Sequence, residues 1–365
     1  MDTIIYEKIN FLLSLLLVTI GIIVGFCLLF ILIPNKSSLH NYKIARHIMG
    51  VAYFLLGIFM LGEIILLPLT DLDINLVRII ILTISSLLAL SFTYSLITLI
   101  NIRFFNKQNL IRELIPIACC SIACIIAYAS FSFIIFIIIL FIFATYYLSL
   151  LIRYTYLFYH TYKEYRKQMD NFFSEQEWKR LRWVNFAFYY ALIVGIMAIF
   201  SIINFHFGFI LFKLFIIPFY IYFGCQLINY SFKFQFIEPV FQEENMETKR
   251  QQISFQEVEI VIEKWVNQKK YLQAGITIEQ VATELNTNRT YLSNYINNTK
   301  QQTFRKWINE LRIEEAKLLL LKYPTLPASE IGKLVGFSDK SNFGRQFSQL
   351  TSATPQNWRK KQQNT

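Results

Sequence analysis

Charge is scarce in this chain. Asp, Glu, Lys and Arg make up 16% of its 365 residues, where an ordinary soluble domain has about 25%. With 55% of the residues hydrophobic, that shortage argues against a chain that is soluble along its whole length. Phosphate-binding signatures are missing as well. There is no Walker-type lysine loop, no Gly-rich cradle and no kinase or receiver motif, which argues against nucleotide-driven chemistry and against a phosphorelay. Cysteine is sparse, and Cys27, Cys119, Cys120, Cys124 and Cys225 all fall inside apolar runs. Their spacing is neither that of a zinc finger nor that of a disulfide framework. Cys120 and Cys124 share a helix face, where small apolar residues pack helices together. No metal and no cofactor are expected. Paired carboxylates and nucleophile–base arrangements are also missing from the apolar runs, so the chain is not expected to be an enzyme.

What is abundant is apolar sequence, concentrated before residue 231. About 20 predominantly apolar residues span a bilayer, and the runs here reach that length. Seven spans are expected, at 11–33, 47–69, 74–100, 114–128, 131–152, 184–204 and 208–230. The border between the fourth and fifth falls at Ala129 and Ser130. Asp2 and Glu7 beside a single Lys8, ahead of so long an apolar run, do not resemble a cleaved signal peptide.

Basic residues in short loops stay cytoplasmic. Lys36, Lys43 and Arg46 follow the first span, Arg103, Lys107 and Arg112 the third, and Arg153 to Arg182 the fifth. The intervening turns, at 70–73, 129–130 and 205–207, carry no Lys or Arg. The alternation puts the N-terminus outside and the C-terminus in the cytoplasm, in a bacterial inner membrane with the lipid bilayer as a partner. The connection 153–183 mixes basic and aromatic residues and is expected to be a membrane-surface helix. A contact with the C-terminal domain is the alternative.

Ionisable groups within apolar spans are costly and therefore informative. Glu63 lies near the outer end of the second span, Arg78 near the outer start of the third, and Lys213 on the seventh, with Asn204 and His206 close by. Glu63 and Arg78 lie at comparable depth across a short turn and are expected to neutralise each other while Lys213 snorkels. The functional alternative is an outward-facing polar pocket for a signal molecule, formed by Glu63, Arg78 and Lys213.

Beyond residue 230 the composition changes. Residues 231–253 read as a polar linker with Pro239, Glu243 and Glu244, and 254–270 carry a helical stripe opened by a capping box of Ser254 and Glu257. From Gly275 to Arg359 one pattern occurs twice. A short helix carrying a small residue, Ala282 or Gly332, leads to a turn, Asn286-Thr287-Asn288 or Gly336-Phe337-Ser338. A second helix follows, with Leu292 and Ile296, or Phe343 and Phe347, on its buried face. That is the plan of a helix-turn-helix, expected at about 277–298 and 328–350. A joining helix at 303–322 is expected to bury Phe304, Ile308, Leu311, Leu319 and Leu320. It would be about 30 Å long, close to one DNA turn of about 34 Å, so both second helices could enter successive major grooves.

These residues resemble the AraC/XylS family of transcription regulators. The likeness runs from about 254 to 359. It is carried most specifically by Tyr291-Leu292-Ser293, Leu311-Arg312 with Glu315-Ala316, Gly336-Phe337-Ser338-Asp339, and Thr354-Pro355 with Trp358-Arg359. Gly332 stands where the family usually has Ala, and Asn294 and Ile296 replace the commoner basic residue and Phe. The resemblance implies that the outward turns of each second helix read DNA, and that one chain reads an asymmetric site without dimerising. In the first copy that leaves Thr290, Ser293 and Asn294 for the groove and Arg289 for phosphate. In the second it leaves Lys340, Ser341 and Arg345, with Arg359, Lys360 and Lys361 adding positive charge near the end of the match. Arg345 is the strongest base reader, because a guanidinium can bond both O6 and N7 of guanine.

The fold expected is all-α: a seven-helix transmembrane bundle over 1–230, a linker over 231–253 and a soluble domain with two helix-turn-helix motifs over 254–365. The function expected is a membrane-embedded, sequence-specific transcription regulator. Its expected partners are double-stranded DNA and RNA polymerase, and it would answer a small-molecule or membrane signal. The alternatives are a transporter or membrane enzyme with an attached regulatory domain, and a reader on a passive anchor.

Overall fold

The structure, a computed structural model, describes residues 3–33, 39–66, 74–101, 103–130, 132–203, 205–230 and 255–363. Asp2, Lys36, the turn 70–73, Asn204, the linker 231–253 and Ser254 of the expected capping box lie outside the described residues. The fold is all-α. In chain order the first helices are α1 (Thr3–Phe30), α2 (His40–Leu66), α3 (Ile74–Ile100), α4 (Lys107–Ala129), α5 (Phe133–Phe172), α6 (Arg182–Ile203) and α7 (Phe205–Ile228). Then come α8 (Phe255–Asn267), α9 (Ile278–Glu284), α10 (Arg289–Thr299), α11 (Phe304–Lys322), α12 (Ala328–Leu334), α13 (Lys340–Thr351) and α14 (Pro355–Gln363).

The helices sort into two compact units. One comprises Met1–Lys163 with Arg180–Phe241, the other Glu164–Lys179 with Gln242–Thr365. Seven helices of the described chain, α1 to α7, are long and apolar enough to cross a membrane. The border between α4 and α5 falls where the sequence puts it. Helix α4 ends at Ala129, and the Ser130 N–H caps it on the carbonyls of Ile126 and Ala127. Helix α5 departs from expectation. Instead of stopping near residue 152 and giving way to a separate surface helix, it runs unbroken for 40 residues to Phe172. No Gly or Pro occurs between Phe133 and Phe172, so nothing in the sequence interrupts the backbone ladder.

The first unit packs on aromatic rings. Phe92 of α3 meets Phe219, Tyr220 and Phe223 of α7 with ring centroids 4.9, 5.5 and 4.9 Å apart. It also buries a polar cluster. The Lys213 ammonium, wholly buried, donates to Glu63 Oε1 at 2.6 Å, Asn10 Oδ1 at 2.7 Å and Ser14 Oγ at 2.6 Å. The Asn10 amide closes the ring by donating to the same Glu63 oxygen at 2.9 Å. The carboxylate of Glu63 therefore meets Lys213, not the expected Arg78, whose guanidinium donates to Asn75 Oδ1 at 3.1 Å. Equal depth on neighbouring helices did not bring the first pair face to face. Lys213 does not snorkel either, because three oxygens hold its head inside the bundle.

Candidate nucleic-acid interface

Local chemistry builds the first helix-turn-helix. Thr277 caps α9 in a capping box with Gln280, the two donating to each other at 2.8 and 3.3 Å. Ala282 is buried, the Thr287 N–H donates back to its carbonyl at 2.8 Å, and Asn286 takes the left-handed φ of 55° that the turn needs. Asn288 then caps α10, its side chain accepting from the Tyr291 N–H at 2.7 Å. Leu292, Tyr295 and Ile296 are buried, while Thr290 and Asn294 are exposed and Arg289 and Ser293 half-buried.

The second copy repeats the plan. The Phe337 N–H donates to the Gly332 carbonyl at 2.9 Å, and Gly336 takes φ of 91°. A side chain at Gly336 would sit 2.4 Å from the Leu272 carbonyl oxygen, so glycine is required there both by conformation and by space. Gly332 is needed for space alone, since a Cβ would lie 2.8 Å from the Phe343 ring. Asp339 caps α13 by accepting from the Ser341 and Asn342 N–H groups at 3.0 and 3.2 Å. Its charge is thereby turned into the helix end, which suits the macrodipole. Phe343 and Phe347 are buried, and Lys340, Ser341 and Arg345 are exposed. These three line a shallow groove with Ala328 and Ser329 at the start of α12 and Pro355 at the start of α14. Cations beside helix N-termini make such a groove attractive to phosphate.

Between the copies runs α11, 19 residues capped by Thr303. The sequence of this C-terminal region matches a family profile described as "Helix-turn-helix domain" over residues 281–361. The Msm operon regulatory protein of Streptococcus mutans is 29% identical over 91 residues, which is 25% of this chain and 32% of that protein. The matched region is an AraC-type helix-turn-helix domain. The chain spans about a third of the length of that curated relative, 32%. A solved structure, the C-terminal domain of AraT, a response regulator from Geobacillus stearothermophilus, is 29% identical, covering 30% of this chain and 88% of that one with a TM-score of 0.27.

Two residues of the AraC-type domain do more than the sequence suggested. Arg312 is wholly buried. Its Nε donates to the Tyr271 carbonyl at 2.9 Å and its Nη2 to the Gln273 carbonyl at 2.7 Å, and the guanidinium lies 5.6 Å from the Phe337 ring centre. Burial pushes this guanidinium down to about 10, with Glu175 opposing the shift, so it stays charged at neutral pH. The buried face of α11 is the row Phe304, Ile308, Arg312, Ala316 and Leu320, whereas Leu311 and Leu319, expected to be buried, are only half so. The i, i+4 row was the signal available in the sequence. Phe304, Ile308 and Leu320 were read from it, and Arg312 and Ala316 were not.

Arg359 is the other. Its two Nη groups donate to the Pro324 and Leu326 carbonyls at 2.8 and 2.7 Å, so it anchors α14 instead of adding freely to the positive surface. Among the described residues no three His, Cys, Asp or Glu side chains converge to hold a metal ion.

Proposed function

We propose that the protein is a membrane-embedded, sequence-specific DNA-binding transcription regulator. The single observation that supports this most is one chain carrying both seven long apolar helices and an AraC-type domain. In this reading α1 to α7 cross the bacterial inner membrane, the N-terminus lies outside and the reader works in the cytoplasm. It acts on operator DNA and RNA polymerase directly. Thr290, Ser293 and Asn294 of α10 and Lys340, Ser341 and Arg345 of α13 contact base edges or phosphates, and Arg289 contacts phosphate. The regulatory role printed for the Msm operon protein supports the same reading.

The test is recovery of the DNA bound by the intact, membrane-borne chain. Enrichment of a few sites sharing one sequence is expected, together with activity of an externally active reporter fused at 70–73 and silence of the same reporter fused after Phe105. Uniform recovery of all DNA, or the opposite reporter pattern, would overturn sequence reading or orientation respectively.

The cluster of Lys213, Glu63 and Asn10 favours a signal-sensing role for the bundle, because buried ionisable groups in apolar spans mark ligand and ion sites. Arg78 belongs to the proposed outer polar surface. The same cluster is what favours the second reading, a transporter or membrane enzyme with an attached reader. Replacing Lys213 and Glu63 together by Met and Gln separates the two: a sensor loses its response, a transporter loses uptake.

A further inference from the structure

The segment Glu164–Lys179, the last turns of α5 and most of the connection to α6, packs in the same compact unit as the AraC-type domain. Its contacts fall on the residues proposed to meet DNA and on their neighbours. The Arg289 guanidinium lies 5.4 Å from the Phe172 ring centre. Phe173 forms an antiparallel bridge with Thr277, and the Ser174 N–H donates to the Ile276 carbonyl at 3.2 Å. Asp170 Oδ2 pairs with Arg305 Nη2, at the start of α11, at 2.9 Å. Ser338 Oγ donates to Glu175 Oε2, and Arg345 Nη2 donates to Gln176 Oε1 at 2.5 Å. Met169, Phe172 and Ser174 are buried in the process.

We propose that residues 169–176 form an autoinhibitory cover on the reader, and that the cover and duplex DNA exclude each other. This rests on the DNA-reading role proposed above. The segment presents to the reader what DNA would present. The carboxylates of Asp170 and Glu175 stand where a phosphate oxygen could meet a guanidinium or a hydroxyl, and the Gln176 amide oxygen stands where a base edge could. Arg345 makes the exclusion concrete. Its Nη2 donates to Gln176 at 2.5 Å and to Asn342 Oδ1 at 3.1 Å, so both hydrogens on that nitrogen are in use. A bidentate grip on guanine needs two coplanar N–H groups free on one side.

The cover is built to lift. Asp170 Oδ1, Glu175 Oε1 and Arg305 Nη1 are buried without a protein partner, which lowers the net stability of the contact. DNA affinity is then reduced by the fraction of molecules in which the cover is closed. Because the segment is the end of α5 and the start of its connection to α6, a signal that repacks those helices has a direct route to it.

Two experiments on the intact chain in lipid nanodiscs decide the matter, using a duplex recovered from the mapped sites and an unrelated duplex as probes. The triple variant Asp170→Ala, Glu175→Ala, Gln176→Ala alters only the cover. It should bind the mapped duplex about tenfold more tightly than the wild type. Equal or weaker binding overturns the cover. Glu175→Cys with Ser338→Cys, with each single variant as control, should form a disulfide when a thiol oxidant such as diamide is added, and that disulfide should abolish duplex binding until a reductant is added. A pair that fails to cross-link, or that binds DNA equally well when oxidised, also overturns it. If wild type and triple variant alike bind both duplexes without preference, the sequence-reading role has failed instead, and that outcome is distinct from the others.

Discussion

In the first helix-turn-helix Ala282 stands on the short helix and Leu292 leads the buried face of the recognition helix. At the equivalent places in the second stand Gly332 and Phe343. The larger ring in one helix is matched by the smaller residue in the other, an exchange of volume between the two helices of the pair. The turns differ in the same spirit. Asn286 bends the first at φ 55° and Gly336 the second at φ 91°, where a backbone carbonyl of the first half closes over it. Ser338 is an extra residue in the second turn, between the buried Phe337 and the cap Asp339. The outward faces diverge as well: Arg289 followed by the short polar groups of Thr290, Ser293 and Asn294 in α10, Lys340 and Arg345 with Ser341 in α13. Two copies of one plan thus present different outward faces, and the second carries two glycines at which a Cβ would meet a neighbour closer than 3 Å.

Gly336→Ala should give the largest effect. Left-handed strain and a 2.4 Å approach to the Leu272 oxygen together should cost about 3 kcal/mol, whereas Asn286→Gly should change stability by a few tenths. Hydrogen exchange of α9, α10, α12 and α13 in the intact chain measures both. Equal effects would show that the two turns are interchangeable.

Arg345→Ala should lose about 1–3 kcal/mol of DNA binding and relax preference at one base pair, while Asn294→Ala should lose less and mostly at one position. Titration against the mapped site and its single-base variants separates them. If Arg345→Ala weakens every sequence alike, the second copy does not read bases.

Gly332→Ala gains about 1 kcal/mol of helix propensity but overpacks Phe343, a net loss of about 1 kcal/mol. Adding Phe343→Leu, which recreates the first copy's pairing, should restore most of the stability. No recovery in the double variant would refute the volume exchange. The smallest effect is expected from Lys360→Ala, which should lower affinity for all duplexes equally and reduce the salt slope by about 1.

Much of this was legible in the sequence. The small residues at 282 and 332 and the paired aromatics at 343 and 347 carry the plan of the reader openly, because helix crossing leaves few alternatives. Apolar length likewise announces α1 to α7. What stayed hidden were pairings set by rotation about helix axes. Depth along a span suggests Glu63 with Arg78, but only the packed bundle turns Lys213 towards Glu63. Arg312 was legible as a mark of the resemblance but its burial was not, because its partners are backbone carbonyls, which have no signature in composition. For the connection 153–183 a contact with the C-terminal domain was the alternative reading, but its individual pairings, Asp170 with Arg305, Glu175 with Ser338 and Gln176 with Arg345, have no signature in the sequence.

The buried cluster around Lys213 has a consequence for how the chain is made. Glu63 precedes Lys213 by 150 residues, so the carboxylate leaves the ribosome long before the ammonium that neutralises it. In the membrane-embedded reading an unmatched carboxylate is costly, and until α7 arrives Asn10 of α1 offers it only a neutral amide. Completion of the bundle thus adds the cation of the Glu63–Lys213 pair. In the membrane-embedded reading proposed above, a chain interrupted before Lys213 lacks the cation that meets Glu63, and so differs from a finished copy at the centre of its polar cluster.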